Sequence, residues 1–167
     1  GATPHLFATL LATAQDHLTL STPCFVPDAT VLEALCAAAY RGVRVTLIFP
    51  KMNDSWIVAA ASRSYYRKLI SAGCKMHKFK GGFMNAKTLT IDCRVTLIGS
   101  TNLDLRSFDL NYENNILLQD DAVTADVHNR QKSYIERSDP VGLPDVLAWP
   151  YHRRIWNNII ATIGPVL

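Results

Sequence analysis

The chain has 167 residues, 49% of them hydrophobic and 19% charged. That is the composition of an ordinary globular domain, long enough to bury a core, and it excludes a disordered or low-complexity segment. The formal net charge of +3 is mild and no run of Lys or Arg is dense, so anionic partners are permitted and nucleic acid is disfavoured. Cys24, Cys36, Cys74 and Cys93 form no Cys-x-x-Cys pair, which reads as free thiols in a reducing compartment ahead of disulfide or metal use. No apolar run approaches the roughly 20 residues of a membrane-crossing helix, and no signal peptide is visible. The chain opens Gly1-Ala2-Thr3-Pro4 without methionine and is read as a fragment of a longer polypeptide, with a residual tag scar at its start.

In chain order, Leu6, Leu10, Leu11 and Ala14 recur at helical spacing and predict a helix from Pro4 to His17. Leu18 to Thr22 is a short strand stopped by Pro23. Asp28 is the expected N-cap of a second helix through Val31, Leu32, Leu35 and Ala38, with Gly42 as its C-cap. Val43 to Phe49 is a nearly continuous apolar strand of the kind buried on both faces, so the unit is a parallel crossover. A third helix is expected from Ser55 to Ala72, closed by Gly73, then a strand from Cys74 to Lys80. A hairpin follows with its reversal near Asp92-Cys93-Arg94, then a strand from Tyr112 to Gln119 and a helix from Asp121 to Glu136. The alternation predicts an α/β fold: a mixed, mostly parallel sheet flanked by helices on both faces, in one domain over 1–167. Residues 143–167 form a helical C-terminal tail. Its Trp149, Tyr151, Arg153, Arg154 and Trp156 precede an apolar run, which suits packing on its own domain or a partner, with a membrane interface as the alternative.

The chemistry concentrates in residues 81–115. In a strand alternate residues face one way, so Asn85, Lys87 and Leu89 share a face and an amide and an ammonium emerge together. Gly99 lets the backbone approach a ligand, while Ser100 and Asn102 add a hydroxyl and a second amide. One cation ringed by neutral donors suits a phosphate. For Lys87 alone, a gatekeeper on a solvated hairpin edge would be the better reading.

The spacing carries a resemblance. Asn85-Ala86-Lys87, four residues, Asp92, six residues, then Gly99-Ser100-Thr101-Asn102 fits the His-x-Lys…Asp…Gly-Ser-x-Asn signature of the phospholipase D superfamily, with asparagine for histidine. Leu103 to Phe108, Asn111-Tyr112-Glu113, Pro23 to Asp28 and Ser62 to Tyr66 resemble its bacterial cardiolipin synthase branch. The likeness runs over nearly the whole chain and is nearest to the second of that family's two halves.

The resemblance implies an α/β sandwich and phosphodiester transfer through a phosphohistidine, with no metal or cofactor. One imidazole attacks phosphorus and a second protonates the departing alkoxide. By position, Lys87, Ser100 and Asn102 bind the phosphate, and Glu113 matches the carboxylate that fixes the histidine's tautomer. The candidate catalytic set is Asn85, Lys87, Asp92 and Glu113. Within it Asp92 is expected to brace the hairpin, by pairing with a lysine, rather than to move a proton. Asn85 is neither nucleophile nor proton shuttle, so the chain as written is expected to be inactive. One isolated, nearly isosteric change in an otherwise intact site reads as an inactivating substitution. His77 cannot replace it, since no lysine stands two residues on, and His5, His17, His128 and His152 lack ligand-like spacing. Asp104 and Arg106 brace the loop or contact a head group.

Three functions follow. The first is a cardiolipin synthase-like phosphatidyltransferase that uses phosphatidylglycerol, an anionic phospholipid. It would work with a second half in the same chain or as a homodimer, peripherally or through absent segments, at the cytoplasmic face of a bacterial membrane. The second is a homodimeric nuclease or phosphodiesterase of the same superfamily. The third is a catalytically dead module that binds anionic lipid.

Overall fold

The computed structural model describes residues 2–51, 56–100, 103–104, 114–148, 155–156 and 158–159. A seven-stranded sheet is built in the order β8-β6-β5-β1-β3-β4-β9. Its centre is parallel: β1 (His17–Ser21) pairs with β3 (Arg44–Pro50), and β3 with β4 (Lys75–Phe79). The links between them are α2 (Ala29–Tyr40) and α3 (Trp56–Ala72). Antiparallel ladders extend both sides: β5 (Thr88–Ile91) on β1, β6 (Val95–Gly99) on β5, β8 (Asn115–Gln119) on β6, and β9 (Ser138–Val141) on β4. Antiparallel pairings therefore outnumber parallel ones, because only the helix-linked strands can run side by side in the same direction. A separate pair joins β2 (Phe25–Val26) to β7 (Leu103–Asp104) in parallel.

The helices cover both faces. Phe7 and Leu11 of α1 (Ala2–Thr13), Leu35 and Ala38 of α2, and Tyr66 and Leu69 of α3 pack with Leu18, Leu20, Leu47, Leu89 and Leu97 of the sheet. On the other face lies α4 (Asp121–Glu136), whose Tyr134 and Ile135 meet Ile48, Phe79 and Met84. A short α5 (Leu143–Leu147) contributes buried Val146. Beyond it, residues 155–156 and 158–159 are helical, and Ile155, Trp156 and Ile159 are exposed; the rest of the tail lies outside the described residues.

Local chemistry sets the element ends. Asp28 Oδ1 accepts from Val31 N at 2.9 Å, capping α2. At its other end Gly42 takes φ +92°, and Gly42 N and Val43 N donate to Ala39 O and Ala38 O at 2.9 and 3.1 Å, the Schellman arrangement. Gly73 closes α3 likewise, with Cys74 N donating to Leu69 O at 3.0 Å. The β5–β6 reversal places Asp92 and Cys93 at φ +51° and +56°, as a type I′ hairpin turn requires.

Two boundaries and one strand differ from expectation. α1 ends at Thr13, short of His17, because the N–H groups of Gln15, Asp16 and His17 go to the Asp92 carboxylate instead of helical carbonyls. β5 begins at Thr88, so Asn85 precedes the ladder. β9 was not anticipated: Ser-Asp-Pro-Val has neither apolar alternation nor a full set of donors, and Pro140 is tolerated because β9 ends the sheet. All four cysteines are free thiols; burial pushes Cys74 up to about 12.

Candidate phosphate-binding site

The candidate residues sit where β5 begins and β6 ends. Gly99 N donates to Lys87 O at 3.2 Å, which carries the hairpin register one step past Thr88↔Ile98 and sets Lys87 opposite Gly99. Gly99 in turn pairs with Asn115 at the start of β8. Lys87, Gly99 and Asn115 are thus one row across three strands, on the same face as Leu89 and Leu97. The Lys87 ammonium reaches across and donates to Ser100 O at 2.6 Å. An ammonium has three donors, so two remain for a ligand.

Ser100 is tied into the turn. Its Oγ accepts from Asn114 N at 3.0 Å and donates back to Asn114 O at 3.4 Å, while Ser100 N also donates to Asn114 O at 3.0 Å. This clamp fixes the entry of β8 against the exit of β6. Asn85 is exposed in the loop before β5, between buried Met84 and half-buried Ala86, which pack with Ile48 and Phe79 and hold that loop to the sheet. Asn102, Arg106 and Glu113 lie outside the described residues. Asp104 lies in β7, in register with Val26.

Between Lys87 and Asn115 the surface is notched. The notch is lined by Lys87, Gly99 and Asn115 at the rim and by Phe7, Leu20 and Leu97 beneath, with a volume of about 10 Å³. That is room for one water-sized atom. A Cβ on Gly99 would run into Asn115 Oδ1 and lie 2.8 Å from Asn114 O. Glycine is therefore needed here for close approach. Asn115 was not picked out from sequence, because only strand register places it beside a lysine 28 positions earlier in the chain.

Asp92 stands at the opposite end of β5. Its carboxylate accepts from Gln15 N, Asp16 N and His17 N at 2.8, 2.9 and 2.9 Å. Its partners are backbone amides and not the lysine expected. Burial alone would raise its pKa, but the three donors outweigh that and hold it below the ordinary carboxylate range. Asp92 braces the approach to β1.

The described histidines near the sheet lie elsewhere. His77 is on β4, as anticipated, with a buried, unpartnered Nδ1, and burial and then Lys75 lower its pKa. His17 contacts Cys93 at 3.4 Å beside the hairpin turn, and the His128 ring is 5.3 Å from it. Among the described residues no three His, Cys, Asp or Glu side chains are grouped to hold a metal ion, and no helix is long and apolar enough to cross a membrane. Within the stretches Pro23–Asp28 and Ser62–Tyr66, Phe25 packs against Phe49 and Tyr65, and Tyr66 stacks on Phe49.

The chain is similar to known proteins in sequence and in fold. Cardiolipin synthase A of Erwinia tasmaniensis is 39% identical over 152 residues, covering 91% of this chain and 30% of the relative. The Klebsiella pneumoniae protein of the same name is 39% identical over 154 residues, with 92% and 32% covered. The chain thus spans about a third of the length of these relatives. Among solved structures, Nuc of Salmonella typhimurium, a phospholipase D family member, superimposes with a TM-score of 0.73 at 16% identity, covering 83% of this chain and 90% of that one. Phosphatidylserine synthase of Haemophilus influenzae gives 0.73 at 19% identity, with 97% and 43% covered. At such identities the likeness is one of fold. Residues 7–135 match the family described as cardiolipin synthase, phospholipase D-like domain, and the chain belongs to that family.

Proposed function

We propose that this chain is a half-site for phosphatidyl transfer: it binds the phosphodiester of an anionic phospholipid and, in a longer or paired assembly, moves the phosphatidyl group to an alcohol. The observation that carries this reading is the half-buried Lys87, which meets the Gly99-Ser100 turn and the notch between them at the start of β5. A phosphodiester resists attack because its anionic oxygens repel a nucleophile and its alkoxide leaves poorly. A cation and oriented donors oppose both, and preorganised stabilisation of this sort is usually the largest catalytic contribution. In this reading Lys87 and Asn102 hold phosphoryl oxygens, Ser100 sets the turn that aims them, and Glu113 orients an imidazole at position 85. Phe83, two residues before Asn85, is an exposed apolar side chain (76%) in the loop that leads to the site. An exposed aromatic there suits a lipid better than nucleic acid. The work would lie at the cytoplasmic face of a bacterial membrane.

Asn85 lacks a nucleophilic or titrating nitrogen, so this chain would bind without turnover. A chimera tests the reading, with this chain replacing the matching segment of the Klebsiella pneumoniae cardiolipin synthase A. With Asn85→His it is expected to make cardiolipin from phosphatidylglycerol. With Asn85 retained, the rate should be lower by roughly 10²–10⁴ or more. A folded Asn85→His chimera that transfers nothing, alongside an active parent enzyme, would remove the proposal.

A further inference from the structure

We infer that the loop joining β4 to β5, with the cations beside it, is the surface on which this chain rests against an anionic lipid bilayer; the inference deepens the phosphodiester reading above and rests on it. β3 and β4 end at Pro50 and Phe79 and the antiparallel β5 begins at Thr88, all at one rim of the sheet. Residues 80–87 cross that rim. Met84 is buried against Ile48 and Phe79, and Ala86 packs with them. That anchor holds the loop down while its neighbours Phe83 and Asn85 stay exposed.

Cations gather beside Phe83. Lys51 N donates to Phe79 O at 2.8 Å and Lys80 N to Arg137 O at 2.9 Å, which sets the three basic residues on adjoining backbone. Lys80 Nζ lies 2.7 Å and Lys51 Nζ 3.3 Å from the oxygens of Asp139. Arg137 stands over the Phe79 ring, its Cζ 5.1 Å from the centroid, and no carboxylate among the described residues pairs with it. A Cβ on Gly81 would run into that ring and the guanidinium, so glycine lets the loop leave β4 close to Arg137. Three cations thus meet one carboxylate. An exposed aromatic ring beside exposed cations fits the boundary of an anionic bilayer, where the ring enters the headgroup layer and the cations meet lipid phosphates. The same loop carries Asn85 and leads into Lys87. A bilayer resting on Phe83 therefore offers its phosphodiesters to the candidate site without a lipid having to leave it.

The experiment sediments the chain as it stands with vesicles of phosphatidylglycerol and phosphatidylcholine in equal parts, and with phosphatidylcholine alone. Binding is expected to the first, weakening as salt rises, and little to the second. Phe83→Ser should weaken it by about tenfold. Lys51→Gln, Lys80→Gln and Arg137→Gln should each weaken it by about fivefold, the effect of one cation at such a surface. Arg94→Gln, at the opposite end of β5, should change it by less than about twofold. All five side chains are exposed, so thermal melts of the variants should match that of the unmodified chain. Equal binding to phosphatidylcholine alone, no binding to either vesicle, or loss on Ile159→Ser but not on Phe83→Ser would each overturn the inference, and the chimera would still decide the phosphodiester reading. Vesicle binding that needs Phe83 and the three cations, beside an inactive Asn85→His chimera, would keep the docking surface and remove the transfer reading.

Discussion

Asp92 was legible as a motif residue but not in its role, because its three partners stand 75–77 residues away in sequence. A single carboxylate there joins the hairpin turn to the loop that starts β1, and so fixes the strand that runs back toward Lys87. Removing it strands three backbone donors, and Asp92→Ala is expected to cost about 2 kcal/mol in chemical denaturation, the range for hydrogen bonds to a charged group. The pH dependence has a definite sign. Because the folded state holds Asp92 ionised at lower pH than the unfolded chain does, its stabilisation is complete above the ordinary value of about 3.9 and is lost as pH falls through the folded value. The stability gap between the unmodified chain and Asp92→Asn should therefore close on acidification below about pH 4. A gap that stays constant down to pH 2 would show that the charge contributes nothing.

Strands β1, β3, β4, β5 and β6 were readable because apolar runs or alternation and flanking Gly, Pro and Asp marked them, and the edge strand β9 was not, since of its four residues only Val141 packs on the core while Ser138 and Asp139 are held by polar partners distant or unpatterned in sequence. The polar side of the sheet was equally hard to foresee. Thr19, Thr90 and Thr96 are buried, and they meet Gln131 and Thr124 of α4. Gln131 Nε2 donates to Thr19 O, to Thr88 O and to Thr88 Oγ1 at 3.0, 3.3 and 3.1 Å, while Thr90 Oγ1 donates to its Oε1 at 2.7 Å. One side chain thus fixes α4 to β1 and to the start of β5, immediately beside Lys87. Gln131→Leu would leave several of those groups unpaired in a dry layer, and a loss of about 3 kcal/mol is expected. The Thr96–Thr124 pair allows a sharper test. Thr96 Oγ1 donates to Thr124 Oγ1 at 2.8 Å with both residues fully buried. Thr96→Val or Thr124→Val alone should cost about 1–2 kcal/mol, and the double substitution less than the sum, because no polar group is then left without its partner. Strict additivity in a double-mutant cycle would contradict the pairing.

The most exposed apolar edge among the described residues is β8, the end of the sheet order, where Ile116 is 60% exposed and Leu117 49%. Successive strand residues face opposite ways, so both sides of this edge are apolar, and among the described residues β6 is the one strand that pairs with it, the arrangement that invites association. Asn115 begins the same strand and lines the notch, so association along β8 would bring the proposed phosphate-binding face of one copy close to that of another. The isolated chain is expected to sediment as a concentration-dependent mixture of monomer and dimer. Leu117→Lys, which sets a charge on the edge, should shift the mixture toward monomer without lowering the melting temperature, because a residue already half exposed contributes little to the core. A chain that stays monomeric at its highest soluble concentration, or a dimer that Leu117→Lys does not weaken, would place the contact elsewhere and separate pairing from the β8 edge.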